Sequence, residues 1–197
     1  ISIIDPLFTL PLLFSVIFAM MLRRKEKVSR ILSLGALCWA IFYISLGIIQ
    51  RERAEAAMRV VAEARGHQPE SIEAKPSFAN ILVWKVVYRE NARFYVDAVR
   101  VGWNAKLYEG DSIEQLNVDR DFPWLQEGSQ QARDIERFRW FSNDYLAVSP
   151  RHPNRVIDMR YSLIPNQIKG LWGIELNPNA DKREHIRYVG ERDRNGS

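Results

Sequence analysis

Cysteine and histidine are scarce in this chain of 197 residues, which has one cysteine, Cys38, and three histidines. A lone cysteine excludes an intrachain disulfide, so a folded unit here must hold together through its core. Zinc sites need His, Cys, Asp or Glu gathered at ligand spacing. His67 falls in a connector, His152 in a proline-flanked turn and His185 in the charged tail, and none has another histidine within five positions. No metal-ligating set is therefore expected in this sequence. A glycine-rich phosphate loop, a GxSxG elbow and a Cys–His pair are also missing. So are internal repeats and low-complexity segments. The formal charge is only +4, and +3 of it falls within residues 1–50. The remainder is nearly neutral, which gives no basis for a nucleic-acid surface.

What the chain has in abundance is uncharged apolar length at its front. Pro6–Leu22 and Ile31–Ile49 contain no charged side chain. At ~1.5 Å per residue they give about 26–29 Å of helix, close to the ~30 Å hydrocarbon thickness of a bilayer. Between them lies a basic loop, Arg23–Arg30, carrying five of the chain's cations. Short basic loops stay on the cytoplasmic side. The expected fold class is a membrane α + β protein. It has a two-helix transmembrane hairpin over residues 1–50, then a helical extension and connector over 51–77. An extramembrane antiparallel β domain follows over 78–177, with a charged tail over 178–197. The expected location is the inner (cytoplasmic) membrane, multi-pass, with the β domain extracytoplasmic and membrane lipids as partners. The opening on Ile1, with no basic stretch before the apolar run, reads as a segment whose natural N-terminus lies upstream.

Gln50–Arg65 is rich in Ala, Glu and Arg with apolar residues at helical spacing, so it should continue the second apolar helix until Gly66. Beyond it, β-branched and aromatic residues predict strands at Ile81–Tyr88, Ala92–Val101, Ile135–Phe141, Tyr145–Val148, Val156–Ser162 and Leu171–Leu176. Asp111–Asp134 reads as a polar loop with a short helix, and the tail after Asn177 as frayed. Trp84, Phe94, Val96, Phe138, Trp140 and Ile157 are the candidate core.

Two groups of residues are candidates for function. Asp5 stands at the mouth of the first apolar run, where it is either a helix cap or a carboxylate with a metal-adjacent or catalytic role. Arg137, Arg139 and Arg160 alternate with apolar residues at strand spacing, and Asp158 lies two positions before Arg160. If those strands pair, one face carries the arginines and the other carries Phe138, Trp140 and Met159. That arginine face is either a solvated ion-pair network or a site for an anionic ligand such as a phospholipid head group.

The segments Ile3–Leu13 (IIDPLFTLPLL), Leu82–Val96, Arg137–Val148 (RFRWFSNDYLAV) and Val156–Ser162 (VIDMRYS) carry a resemblance. Together they resemble the C-terminal half of the membrane-bound metal-dependent hydrolases, the LexA-binding, inner-membrane-associated family. The resemblance implies a divalent metal, zinc being one candidate, held by His and Asp residues in an upstream half of the same chain. Only Asp5 carries over from that machinery, as a family-typical residue. Two functions therefore stand open. One is the C-terminal part of such a hydrolase. The other is a non-enzymatic membrane-anchored protein whose β domain binds a lipid, an envelope polymer or a protein.

Overall fold

The computed structural model describes residues 5–190. Two helices come first, α1 (Pro6–Met21) and α2 (Glu26–Ala64). Asp5 caps α1 by accepting from the Leu7 amide, and Pro6 occupies the first turn, where a missing N–H costs nothing. The helices form an antiparallel pair. The Tyr43 hydroxyl donates to Asp5 Oδ2 at 2.8 Å, and Ser29 Oγ donates to the Ala19 carbonyl at 3.3 Å. At 39 residues, α2 alone among the described helices is long and apolar enough to cross a membrane; α1 is apolar but has 16 residues. Between Ile31 and Ile49 only Tyr43 and Gly47 are buried, so this stretch leaves most of its Leu, Ile and Phe side chains uncovered.

The second half of α2 does pack. Ala54, Met58 and Ala62 lie against Trp84, Val86, Tyr88, Val99 and Val101. These belong to a four-stranded antiparallel meander of β1 (Ser71–Pro76), β2 (Val83–Glu90), β3 (Arg93–Val101) and β4 (Ala105–Glu114). The helix ends at Arg65, and Gly66 takes the left-handed conformation (φ 77°) that releases the chain toward β1. The other face of this sheet meets a second one. Val87, Phe94 and Val96 pack on Tyr145, Ala147, Ile157 and Met159. The second sheet is also an antiparallel meander, β5 (Leu146–Ser149), β6 (His152–Asp158), β7 (Trp172–Glu175) and β8 (Arg187–Gly190). Its outer face is covered by α4 (Gln130–Phe141), through Ile135 and Phe138 on Leu146, Val156 and Ile174. The layers thus run helix, sheet, sheet, helix, and β2 is buried on both faces. A four-residue helix, α3 (Val118–Asp121), lies in the polar segment before α4.

Several expectations change. Ile135–Phe141 is helical, not a strand. The alternation Arg137-Phe138-Arg139-Trp140 suggests period two, yet Gln131, Asp134, Ile135 and Phe138 are the buried positions, spaced three, one and three apart as on one helix face, and Ser129 caps the helix through the Ala132 amide. Trp140 consequently points outward, at 82% exposure, and is not core, whereas Trp84, Phe94, Val96, Phe138 and Ile157 are buried as expected. The connector contains β1, Asp111–Asp134 begins inside β4, and the tail contributes β8. The β2–β3 turn is Asn91-Ala92, both at positive φ, a two-residue hairpin turn that suits the strand twist.

The C-terminal strand is pinned to α4 by a buried carboxylate. Asp134 accepts from Gln130 Nε2, His185 Nδ1 and the Ile186 amide. Burial alone would raise its pKa, but those hydrogen bonds and the His185 charge outweigh burial and hold it below the usual 3.8. A depressed native pKa means stabilisation that is present above about pH 4 and lost as pH falls through the native value. Urea midpoints measured from pH 6 down to pH 3 should therefore drop toward the acid end, and Asp134→Asn should flatten that slope.

Candidate functional site

β6 ends at Asp158, and the chain turns at once into Arg160. Asp158 is fully buried and Arg160 nearly so. The guanidinium Nε lies 3.0 Å from Asp158 Oδ1 and Nη2 2.8 Å from Oδ2, a bidentate pair of fixed geometry. The Arg160 amide also donates to Oδ1, and the Trp172 indole N–H donates to Oδ2 at 3.3 Å. Arg160 Nη2 reaches the Phe141 carbonyl at 3.0 Å, tying the end of α4 to the sheet. Burial works against the charge on Arg160, but the hydrogen bonds and the charge of Asp158 more than offset it, so the guanidinium stays protonated. Its ring neighbour is Tyr161, 5.4 Å from the guanidinium carbon, and Tyr161 in turn packs on Trp172.

Arg160 lines a cavity of about 1020 Å³ between α2 and the two sheets. One wall is apolar and comes from α2, with Ile44, Gly47 and Ile48. Aromatic side chains, Phe78, Trp84, Phe141, Tyr161 and Trp172, form much of the rest. The polar wall carries four cations, Arg51, Lys75, Lys85 and Arg160, and no Asp or Glu is among the lining residues. Three of these cations have carboxylate partners outside the lining, Glu55 for Arg51, Glu73 for Lys75 and Asp158 for Arg160. Lys85 is buried within β2, and its ammonium donates to Ser162 Oγ at 3.0 Å and to the Gln167 carbonyl at 2.9 Å. These partners fix the cations in place. Arg160 Nη1 makes no hydrogen bond among the described residues.

The expected arginine face does not form. Asp158 and Arg160 come together, but Arg137 and Arg139 sit on α4 with other partners. Arg137 is exposed, 3.5 Å from Asp134, and lines a separate surface groove beside Trp140 and Tyr188. Arg139 is half-buried and bonds Glu136 and Asp144, clamping the end of α4 to the following turn. Asp5 is buried, with Oδ1 on the Leu7 amide and Oδ2 on the Tyr43 hydroxyl. Both oxygens are thus engaged by the protein, which suits a cap and inter-helix tie rather than a metal ligand. Among the described residues no group of three or more His, Cys, Asp or Glu is placed to hold a metal. The metal implied by the resemblance therefore finds no fitting donor set in these residues.

Lys85, Lys75, Arg51 and Trp172 are cavity residues that the sequence reading missed. Lys85 did leave a signal, as the one charge inside the apolar run Ile81–Tyr88. A lone lysine in a strand buried on both faces has to find polar partners or a ligand. Compared with protein-family models, with curated proteins and with solved structures, the chain matches none.

Proposed function

We propose that this is a membrane-anchored binding protein whose cavity takes an anionic amphiphile, with the phosphate-bearing head group of a membrane lipid as the ligand class. In this reading α1 and α2 form a transmembrane hairpin of the inner membrane, Arg23–Arg30 faces the cytoplasm and both sheets lie outside. The uncovered apolar side chains of α1 and of the first part of α2 support the hairpin, since water would not stabilise so much exposed hydrocarbon. One observation carries the binding proposal. A single cavity joins bilayer-compatible residues of α2, Ile44 and Ile48, to a polar wall bearing four cations and no carboxylate. Arg160, whose Nε and Nη2 are held by Asp158 and the Phe141 carbonyl, has Nη1 for a phosphate oxygen, and the lysines offer point charges. Aromatic and aliphatic walls suit the first methylenes of an acyl chain.

The test uses the whole chain in nanodiscs of mixed phosphatidylcholine and phosphatidylglycerol, with retained lipid read by native mass spectrometry after extraction into detergent. Phosphatidylglycerol should be retained in preference. Arg51→Gln with Lys75→Gln should cut that preference by about thirtyfold, from roughly 1 kcal/mol for each of the two cations near a lipid surface. Equal retention of the two lipids, or an unchanged preference in the double variant, would overturn the assignment.

A further inference from the structure

Trp103 is completely exposed, at the tip of the β3–β4 turn. Its position is held by α2. Gln50 Nε2 donates to the Val101 carbonyl at 3.0 Å, and Arg53 Nη2 donates to the carbonyls of Gly102 and Trp103 at 2.7 and 3.2 Å. Gln50 immediately follows Ile49, the last residue of the uncharged stretch. The tip is therefore clamped within one helical turn of the point where α2 ceases to be apolar. Two further loops bring apolar side chains to the same level. Phe78, 61% exposed, lines the cavity beside Ile44 and Ile48, and Leu163, 56% exposed, lines it too. Leu82 is half-exposed, and its carbonyl accepts from the Val101 amide at 2.6 Å, next to the clamped tip. Single exposed apolar residues are ordinary, but four from three separate loops, gathered where the apolar helix ends, are not. Arg100 and Lys106, both exposed, face each other across the β3–β4 ladder just behind the tip.

We infer that these loops form a bilayer-docking rim. Trp103, Phe78, Leu82 and Leu163 enter the interfacial layer of the outer leaflet, and Arg100 and Lys106 meet its head groups. The inference rests on the membrane reading of α2. Trp and Phe partition to that layer because their rings are apolar and the Trp N–H still finds a hydrogen-bond partner there. The clamp by Gln50 and Arg53 makes the docking a consequence of the fold, since the rim cannot leave the bilayer surface while α2 spans it. The cavity mouth then opens at head-group depth, where a lipid enters sideways without leaving the membrane.

Spin-label depth measurements on the full chain in nanodiscs test this. In a Cys38→Ser background, Trp103→Cys, Phe78→Cys, Leu37→Cys and Glu114→Cys are each labelled with a nitroxide. Collision rates with oxygen and with a water-soluble nickel chelate are then compared. Leu37 lies mid-helix, and Glu114 lies at the far end of the sheet, opposite Arg93. Labels at positions 103 and 78 should show an oxygen-to-nickel ratio several-fold above that at 114 and below that at 37. Ratios at 103 and 78 equal to that at 114, with 37 still lipid-buried, would overturn the rim and leave the span intact. A water-like ratio at 37 would overturn the membrane reading and the rim together. Shielding of 103 from both reagents, with spin–spin broadening between copies, would mean that a second chain covers the rim and would overturn bilayer docking.

Discussion

Trp84→Ala should cost the folded part beyond the apolar helices about 3–5 kcal/mol, the usual range for truncating a buried tryptophan. Trp84 is fully buried in β2, its indole N–H donates to the Ile81 carbonyl at 2.9 Å, and it lies in the core shared with Ala54 and Met58 of α2. The variant therefore loses the helix–sheet contact as well as a side chain. Trp140→Ala, on the open face of α4, should stay within about 0.5 kcal/mol of the parent, as surface substitutions do. Pulse proteolysis in urea, read on the fragment released beyond α2, compares the two directly. A large loss at Trp140 with tolerance at Trp84 would mean that α4 is rotated and that β2 is not the central strand.

Asp158→Ala should be nearly as damaging. Removing one partner of a buried ion pair typically costs about 3–5 kcal/mol, because the other charge is left uncompensated. Here the Arg160 guanidinium would keep only the Phe141 carbonyl, and the Trp172 indole would lose its acceptor. The cost comes from the stranded charge more than from the lost attraction. Asp158→Leu combined with Arg160→Met should thus recover most of the stability while removing a cation from the cavity wall. The same proteolysis assay reads both variants. A loss below about 1 kcal/mol in Asp158→Ala, the range of an exposed pair, would mean that water reaches the pair freely. Because Arg160 has this structural duty, the lipid experiment uses Arg51 and Lys75 instead.

How legible each element was in the sequence depended on how many of its faces are buried. β2 and β3 are central strands, and their apolar and β-branched residues announce them. The three missed strands, β1, β4 and β8, are all sheet edges. β4 reads AKLYEGDSIE, mostly exposed, so it shows no clean alternation of polar and apolar residues, and β1 closes on Pro76, which an edge tolerates. For α4 the misleading window was Arg137–Phe141. The helical period emerges only when Gln131 and Ser129 are included. Of the candidate site, Asp158 and Arg160 were legible because two charges within an apolar strand pattern must satisfy each other. Arg137 and Arg139 were grouped with them by a spacing that a helix does not share.

The sequence by itself determined the uncharged apolar run of α2, its continuation to Gly66, the absence of a disulfide and the antiparallel character of the central strands. These follow from local composition and period, which act within a few residues. Only the tertiary structure decided that α2 leaves the apolar stretch to pack on a sheet, that two meanders stack face to face, and that Arg51, Lys75, Lys85 and Arg160 share one cavity. Those four residues span more than a hundred positions of chain. No local preference brings them together; the burial of Trp84, Phe94 and Ile157 does, by setting which faces of which sheets meet.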